Sequence, residues 1–189
     1  CVRTGVTGLR PTYGRVSRRG AMALVWTMDK IGPMCRGVED CAMVLHSIFG
    51  PDGLDRTAAD APFRWNPASK LSELKIGFDS AAFDAIKNGN DPARWKVYEA
   101  VLAAIRALGV DLKPIALPKS SPEYQALTSI VINSESAASF QKLTESGKLN
   151  DLAQQREGSW PNTFRVGSTI PAADYLRAMR VRRRLQDEM

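Results

Sequence analysis

The sequence predicts an α/β fold, and three observations carry that expectation. A short apolar segment, a capped helix and a second apolar segment follow one another between Leu74 and Leu117, at the spacing of a strand–helix–strand unit. The stretch from Gly5 to Asp40 is punctuated by glycines and prolines, with apolar or β-branched runs between them that read as short buried strands. Hydrophobic residues make up 44% and charged residues 24% of 189 positions, which places the chain among globular proteins rather than disordered ones.

Taken in order, Val6 to Leu9 reads as the first strand, Arg10 to Gly14 as a turn, and Ala21 to Trp26 as a second apolar run. A helix begins after Gly37. Glu39 and Asp40 lie in its first turn, where acids complement the helix dipole, and Val38, Cys41, Ala42, Leu45 and Phe49 recur at helical spacing. Gly50-Pro51 ends it. Pro51 to Ser69 is a polar loop, long enough to suit a functional or mobile segment.

Leu74 to Asp79 reads as a strand. Asp91-Pro92 opens a helix as N-cap and first helical residue, with Val97, Val101, Leu102, Ile105 and Leu108 as its apolar face and Gly109 as its stop. Val110 to Leu117 is the next strand, assigned to an edge because Pro114 lacks a donor. Ser121-Pro122 opens a long helix expected to reach Thr144, and Gly147 closes it. Asn150 to Arg156 reads as helical, Gly158 and Pro161 as an interruption, and a last helix runs from near Pro171 to the chain end.

Chemistry-bearing residues are sparse. His46 is the only histidine and sits beside apolar helix positions, which suits packing or surface better than a triad or a metal. No Cys-x-x-Cys or His-x-x-x-His spacing occurs, so no metal is expected. Cys1, Cys35 and Cys41 form an odd set, expected as reduced, inert thiols in a cytoplasmic protein. Two Ser-x-x-Lys matches, Ser72–Lys75 and Ser139–Lys142, have only two fixed residues each and read as chance. The net charge of +6 and the run Arg177, Arg180, Arg182, Arg183 and Arg184 admit an anionic partner such as RNA. A solvated face or internal pairing with acids is the favoured reading, and nucleic acid is not an expected partner. No apolar run approaches the ~20 residues that span a bilayer, so no membrane is expected either.

One stretch resembles a known family. Gly5, Gly8-Leu9-Arg10-Pro11-Thr12, Gly14-Arg15-Val16-Ser17-Arg18, Asp29, Gly32-Pro33-Met34, and Arg36, Val38 and Asp40 are similar in order and spacing to the later half of the signature region of the amidase signature family. Thr27 and Gly37 stand where Ser is common. A looser likeness continues through the strand at Leu74, Ser134-Glu135-Ser136-Ala137-Ala138, and Ala173-Asp174-Tyr175-Leu176 with Arg180 and Arg184.

The resemblance implies a layered α/β/α sandwich around a mixed sheet. It implies hydrolysis of a carboxylic amide by a Ser–cis-Ser–Lys arrangement without metal or organic cofactor, with backbone N–H groups worth about 3 kcal/mol each at the oxyanion. It also implies that all three catalytic residues lie upstream of Cys1, so this chain carries none and is expected to be an inactive part of an amidase domain. Within it, 1–50 would end the signature region, 51–70 form a loop, and 71–189 supply the C-terminal α/β and helical portion. The opening on Cys1 rather than Met, and a last helix that reaches Met189 without a cap, agree with that expectation.

Trp26, Thr27, Met28 and Asp29 are, by the resemblance, the candidate wall of the substrate pocket; the same four residues read equally well as a buried core turn. Tyr13 and Arg15 are expected to hold the preceding turn. A small-molecule amide and a second copy of the parent protein are the expected partners. Two alternatives stay open: the amide-hydrolysing subunit of a tRNA-dependent amidotransferase, and a non-catalytic module that binds an anionic partner through the arginine helix.

Overall fold

A computed structural model describes residues 1–118 and 121–189. The described chain is α/β, as expected: seven helices and two short two-stranded ladders. Two compact units form, one from Cys1–Trp65 with Ser121–Gln186, the other from Asn66–Ser120 with Asp187–Met189.

The first unit opens with β1 (Thr7–Gly8), antiparallel to β2 (Met34–Cys35), with Thr7 opposite Cys35. The ladder is only two residues long, shorter than the Val6–Leu9 strand expected. Close backbone approach takes over beyond it. A Cβ at Gly32 would stand 2.2 Å from the Leu9 carbonyl oxygen, so only glycine fits. Helix α1 (Val38–Ile48) follows; Asp40 accepts from the Gly37 amide at 3.1 Å and closes its first turn, and Cys41, Ala42 and Leu45 are buried.

The apolar run Ala21–Trp26 forms no strand. Its backbone donors find a side chain instead of a neighbouring strand: the Asp29 carboxylate accepts from the Leu24 and Val25 amides at 2.8 and 3.0 Å. The Met28 and Asp29 amides close back on the Val25 carbonyl. Val25 is thereby buried while Met22 and Trp26 remain exposed.

The second unit is built on β3 (Ile76–Asp79), which pairs in parallel with β4 (Leu112–Ile115). Between them run α2 (Ser80–Lys87) and α3 (Pro92–Ala107). Asp91 caps α3, as the sequence predicts, and accepts from the Arg94 amide at 2.9 Å. Helix α2 has no counterpart in the sequence reading; Asp79 caps it, and Phe83 packs edge-on against Phe78 and Tyr98. Of the apolar face assigned to α3, Leu102 is buried while Val97, Val101 and Leu108 are exposed.

Helices α4 (Pro122–Ser139), α5 (Gln141–Glu145), α6 (Trp160–Gly167) and α7 (Ala172–Glu188) complete the first unit. The long helix expected to reach Thr144 breaks at Phe140, whose ring stacks on Phe164 of α6 at 4.6 Å. Tertiary packing outweighs continued helix there. Residues 150–156 are not the helix expected; a 3-10 turn covers Lys148–Asp151, and the Gln155 side-chain amide donates to the Leu149 and Leu152 carbonyls at 2.8 Å each. Pro161, taken as an interruption, lies in the first turn of α6, where its missing N–H costs nothing. The core gathers Val25, Leu127 and Val131 with Ala178 and Val181, so the loop before Asp29 packs directly against α4 and α7. Among the described residues no helix is long and apolar enough to cross a membrane.

Candidate functional site

The loop from Arg18 to Ile31 and the segment Leu54–Thr57 enclose a cavity of about 670 Å³ within the first unit. Its floor is set by Arg18. The Arg18 backbone amide and Nε both donate to Asp55 Oδ2, at 2.9 and 3.3 Å, and Nη2 donates to Thr57 Oγ1 at 2.8 Å. Its Nη1 donates to the Trp26 carbonyl. The guanidinium lies 4.8 Å from the Tyr13 ring centre and 5.0 Å from that of Trp26, within cation–π range. One side chain therefore joins the signature stretch, the Trp26 turn and the 51–57 loop.

That loop is folded on its own acids. Asp52 Oδ1 accepts from the Leu54 and Asp55 amides at 2.9 Å each, and its Oδ2 accepts from Ser17 Oγ at 2.7 Å. These bonds, the Asp55 amide first, hold the Asp52 carboxyl down at about 2. The Thr57 hydroxyl donates to Asp55 at 2.6 Å. With the Arg18 amide, it keeps the Asp55 carboxyl well below the usual carboxylate range. Gly14 adds the last tie: its φ is 79°, its carbonyl accepts from the Ala59 amide at 2.8 Å, and a Cβ there would meet the Thr57 carbonyl oxygen at 2.5 Å.

The four residues named from the resemblance divide. Trp26 and Asp29 line the cavity. Thr27 instead reaches Glu135 of α4, and Met28 packs on the core beside Val25. The Glu135 carboxylate is buried and accepts from the Thr27 amide, the Thr27 hydroxyl and the Tyr175 hydroxyl at 2.8, 2.7 and 2.8 Å. Arg182 donates to the Thr27 hydroxyl and carbonyl at 2.7 and 2.8 Å. Burial, then the bond to Glu135, pushes the Tyr175 phenol up to about 12. Lys30 lies on the cavity wall, and its ammonium is pushed down by burial and by the nearby Arg10 and Arg182 charges.

Tyr13 and Arg15 hold the turn by donating to the Trp26 and Pro62 carbonyls at 3.5 and 3.0 Å. Arg18, Arg19, Lys30 and Arg56 were not singled out in the sequence. The signal for Arg18 was its place in the Gly-Arg-Val-Ser-Arg run; Arg56 carried none.

The remaining candidates sit elsewhere. His46 is exposed against the Phe49 and Phe63 rings, at 5.6 and 6.4 Å. Ser72 and Lys75 are both exposed, and Ser139 donates to the Leu24 carbonyl at 3.3 Å. Burial and the neighbouring Cys41 push the Cys35 thiol up, away from reactivity. Of the arginine run, Arg182 is tied to Thr27, Arg184 pairs with Glu123 at 2.6 Å and Arg177 with Asp174 at 3.4 Å. Among the described residues no three His, Cys, Asp or Glu side chains gather as a metal site needs. Among the described residues the cavity lining contains no Ser, Cys or His; its polar groups are Arg18, Arg19, Asp29, Lys30, Asp55, Arg56 and Thr57.

Residues 1–189 match the family described as Amidase along their whole length. The chain belongs to the amidase family. A glutamyl-tRNA(Gln) amidotransferase subunit from Thermus thermophilus is 32% identical over 203 residues, covering 97% of this chain and 42% of that protein. The corresponding subunit from Moorella thermoacetica is 40% identical over 117 residues, covering 60% of this chain and 23% of that protein. Among solved structures, a protein from a vestigial complex tied to the origins of an s-triazine catabolic enzyme superposes with a TM-score of 0.72. It is 31% identical and covers 97% of this chain and 38% of its own. An amidase crystal structure superposes at 0.71 with 22% identity, over 97% of this chain and 37% of its own, a likeness of fold. The chain spans less than half the length of these relatives.

Proposed function

We propose that the whole protein containing this chain hydrolyses carboxylic amides, and that the Trp26–Asp29 turn forms part of the wall against which the substrate lies. Family membership supports the reaction class. The observation that carries the placement is Trp26 and Asp29 on one cavity wall, with Thr27 between them anchored to Glu135 at its back. In this reading residues 1–189 are one part of an amidase domain. The attacking Ser, the cis-Ser that relays its proton and the Lys that finally takes it come from outside this span, so the 189-residue chain alone is inactive. The parent works in the cytoplasm on a small-molecule amide, as a homodimer.

The test is ammonia release from a panel of primary amides by the full-length protein, beside the 189-residue chain. The reading expects turnover by the former and none by the latter. It also expects Trp26→Ala to raise KM of the full-length enzyme more than it lowers kcat. Robust hydrolysis by the 189-residue chain would overturn the placement of the catalytic residues. Absence of hydrolysis by the full-length protein across the panel would overturn the reaction class.

A second reading, the amide-hydrolysing subunit of a tRNA-dependent amidotransferase, draws on the 32% identity to the Thermus thermophilus protein. It predicts glutamine hydrolysis that rises when partner subunits are supplied. The module binding an anionic partner through α7 draws less support, because Arg177, Arg182 and Arg184 already have partners within the chain.

A further inference from the structure

The cavity at the Trp26 turn is unevenly charged. Arg18, Arg19, Lys30 and Arg56 line it, against only Asp29 and Asp55. Both acids are already committed. Asp55 is engaged by Arg18 and Thr57, in an ion pair whose side chains are 9% and 10% exposed. Asp29 is engaged by the Leu24 and Val25 amides. Arg18 is cancelled by Asp55 and held by two rings. The Arg19 and Arg56 guanidinium groups meet no carboxylate among the described residues and are exposed at the rim. Lys30 stands on the same wall; burial first, and then the Arg10 and Arg182 charges, disfavour its ammonium. The remainder of the lining, including Ala21, Met22, Ile31 and the Trp26 ring, is apolar.

We propose that this cavity takes an amide that also carries a carboxylate, the carboxylate seated between Arg19 and Arg56 and the carbon skeleton lying along Trp26 and Met22. The proposal rests on the reading of the cavity as the substrate pocket and adds the substrate class. A planar guanidinium fork matches a carboxylate with two parallel hydrogen bonds, which a neutral amide cannot reproduce. The mouth is open to water and salt, so the preference is one of selectivity rather than very tight binding.

The experiment is a titration of the 189-residue chain followed by the Trp26 indole N–H resonance, with succinamate, its neutral counterpart succinamide, and inorganic phosphate as probes. Succinamate is expected to shift the Trp26 signal and to bind about tenfold more tightly than succinamide, with phosphate weaker than succinamate. Arg19→Ala/Arg56→Ala should bring the two amides level, and Arg56→Glu should reverse the order. Arg180→Ala, on the exposed side of α7, should change nothing, and thermal unfolding of each variant reports that the fold is kept. Equal binding of the two amides would overturn the charge preference while leaving the amide pocket standing. Phosphate binding as tightly as succinamate would overturn the carboxylate-bearing amide in favour of a general anion site. No shift of Trp26 with any probe would overturn the pocket reading itself, and this proposal with it.

Discussion

Thr27 and Glu135, 108 positions apart, are joined by two hydrogen bonds that use both carboxylate oxygens: the Thr27 amide to Oε2 at 2.8 Å and the Thr27 hydroxyl to Oε1 at 2.7 Å. The pair fixes the back of the cavity wall to α4. Arg182 closes the arrangement by donating to the same hydroxyl, so its charge reaches the buried carboxylate through Thr27 rather than directly.

Glu135→Ala should therefore cost about 3 kcal/mol, since it strips three part-buried donors of their acceptor. Thr27→Ala should cost less, about 1–3 kcal/mol, because the Thr27 amide still reaches the carboxylate. Thr27→Ser keeps the hydroxyl and should be close to wild type. Urea unfolding of the single variants and of Thr27→Ala/Glu135→Ala would measure the coupling. Strict additivity of the two changes would mean that the pair does not act together.

The Tyr175 phenol, raised to about 12 by burial and Glu135, makes a prediction at the alkaline end. The folded value lies above the free value of about 10. Its contribution is fully present below pH 10 and is lost as pH rises through about 12. Phenolate absorbance should show one tyrosine titrating late, and Tyr175→Phe should remove it while costing about 1.5–3 kcal/mol at neutral pH, as a bond to a charged acceptor does. A wild-type curve with no late tyrosine would contradict the Glu135 contact.

Asp52 predicts the acid end with the opposite sign. Its carboxyl is held at about 2 by the Asp55 and Leu54 amides and the Ser17 hydroxyl, below the free value of about 3.9. The stabilisation is present above pH 4 and is lost as pH falls through about 2. Asp52→Asn should be less stable than wild type at neutral pH, and the difference should shrink over that window in acid unfolding monitored by circular dichroism. A difference that stays constant from pH 6 to pH 2 would show that the charge plays no part.

What the sequence made legible was local. The Asp91-Pro92 cap, the Gly50-Pro51 stop and the Gly147 stop are decided within a turn, and each stands in the structure. What it hid depended on distant partners. Phe140 leaves its helix for Phe164, Gln155 replaces helix bonds with side-chain bonds, and Asp29 satisfies a backbone that the apolar pattern assigned to a strand. The candidate site shows the same division. Trp26 and Asp29 were named because the signature stretch is unusual in sequence, and both line the cavity. Arg56 was not named, since only the fold brings residue 56 to the cavity that residue 19 also lines.

Gly167 supplies a prediction in which sterics and helix propensity oppose each other. It is the last residue of α6, and a Cβ there would stand 2.0 Å from the Asn133 carbonyl oxygen and 2.8 Å from the Ala137 Cβ of α4. Alanine favours a helix interior over glycine by about 1 kcal/mol, and by less at a terminus. Overpacking against backbone typically costs about 1–3 kcal/mol and occasionally more, and here no flexible side chain can yield. Sterics should win. Gly167→Ala should lose about 2–3 kcal/mol in urea unfolding and should weaken the near-ultraviolet signal of the Phe140, Trp160 and Phe164 rings as α6 lifts from α4. Gly53→Ala is the control: its φ is 76° with open space around it, so only the left-handed backbone penalty of about 1–2 kcal/mol applies, and the aromatic signal should stay unchanged. An aromatic signal unaltered in Gly167→Ala would mean that α6 and α4 are not as closely packed as the Asn133 contact requires.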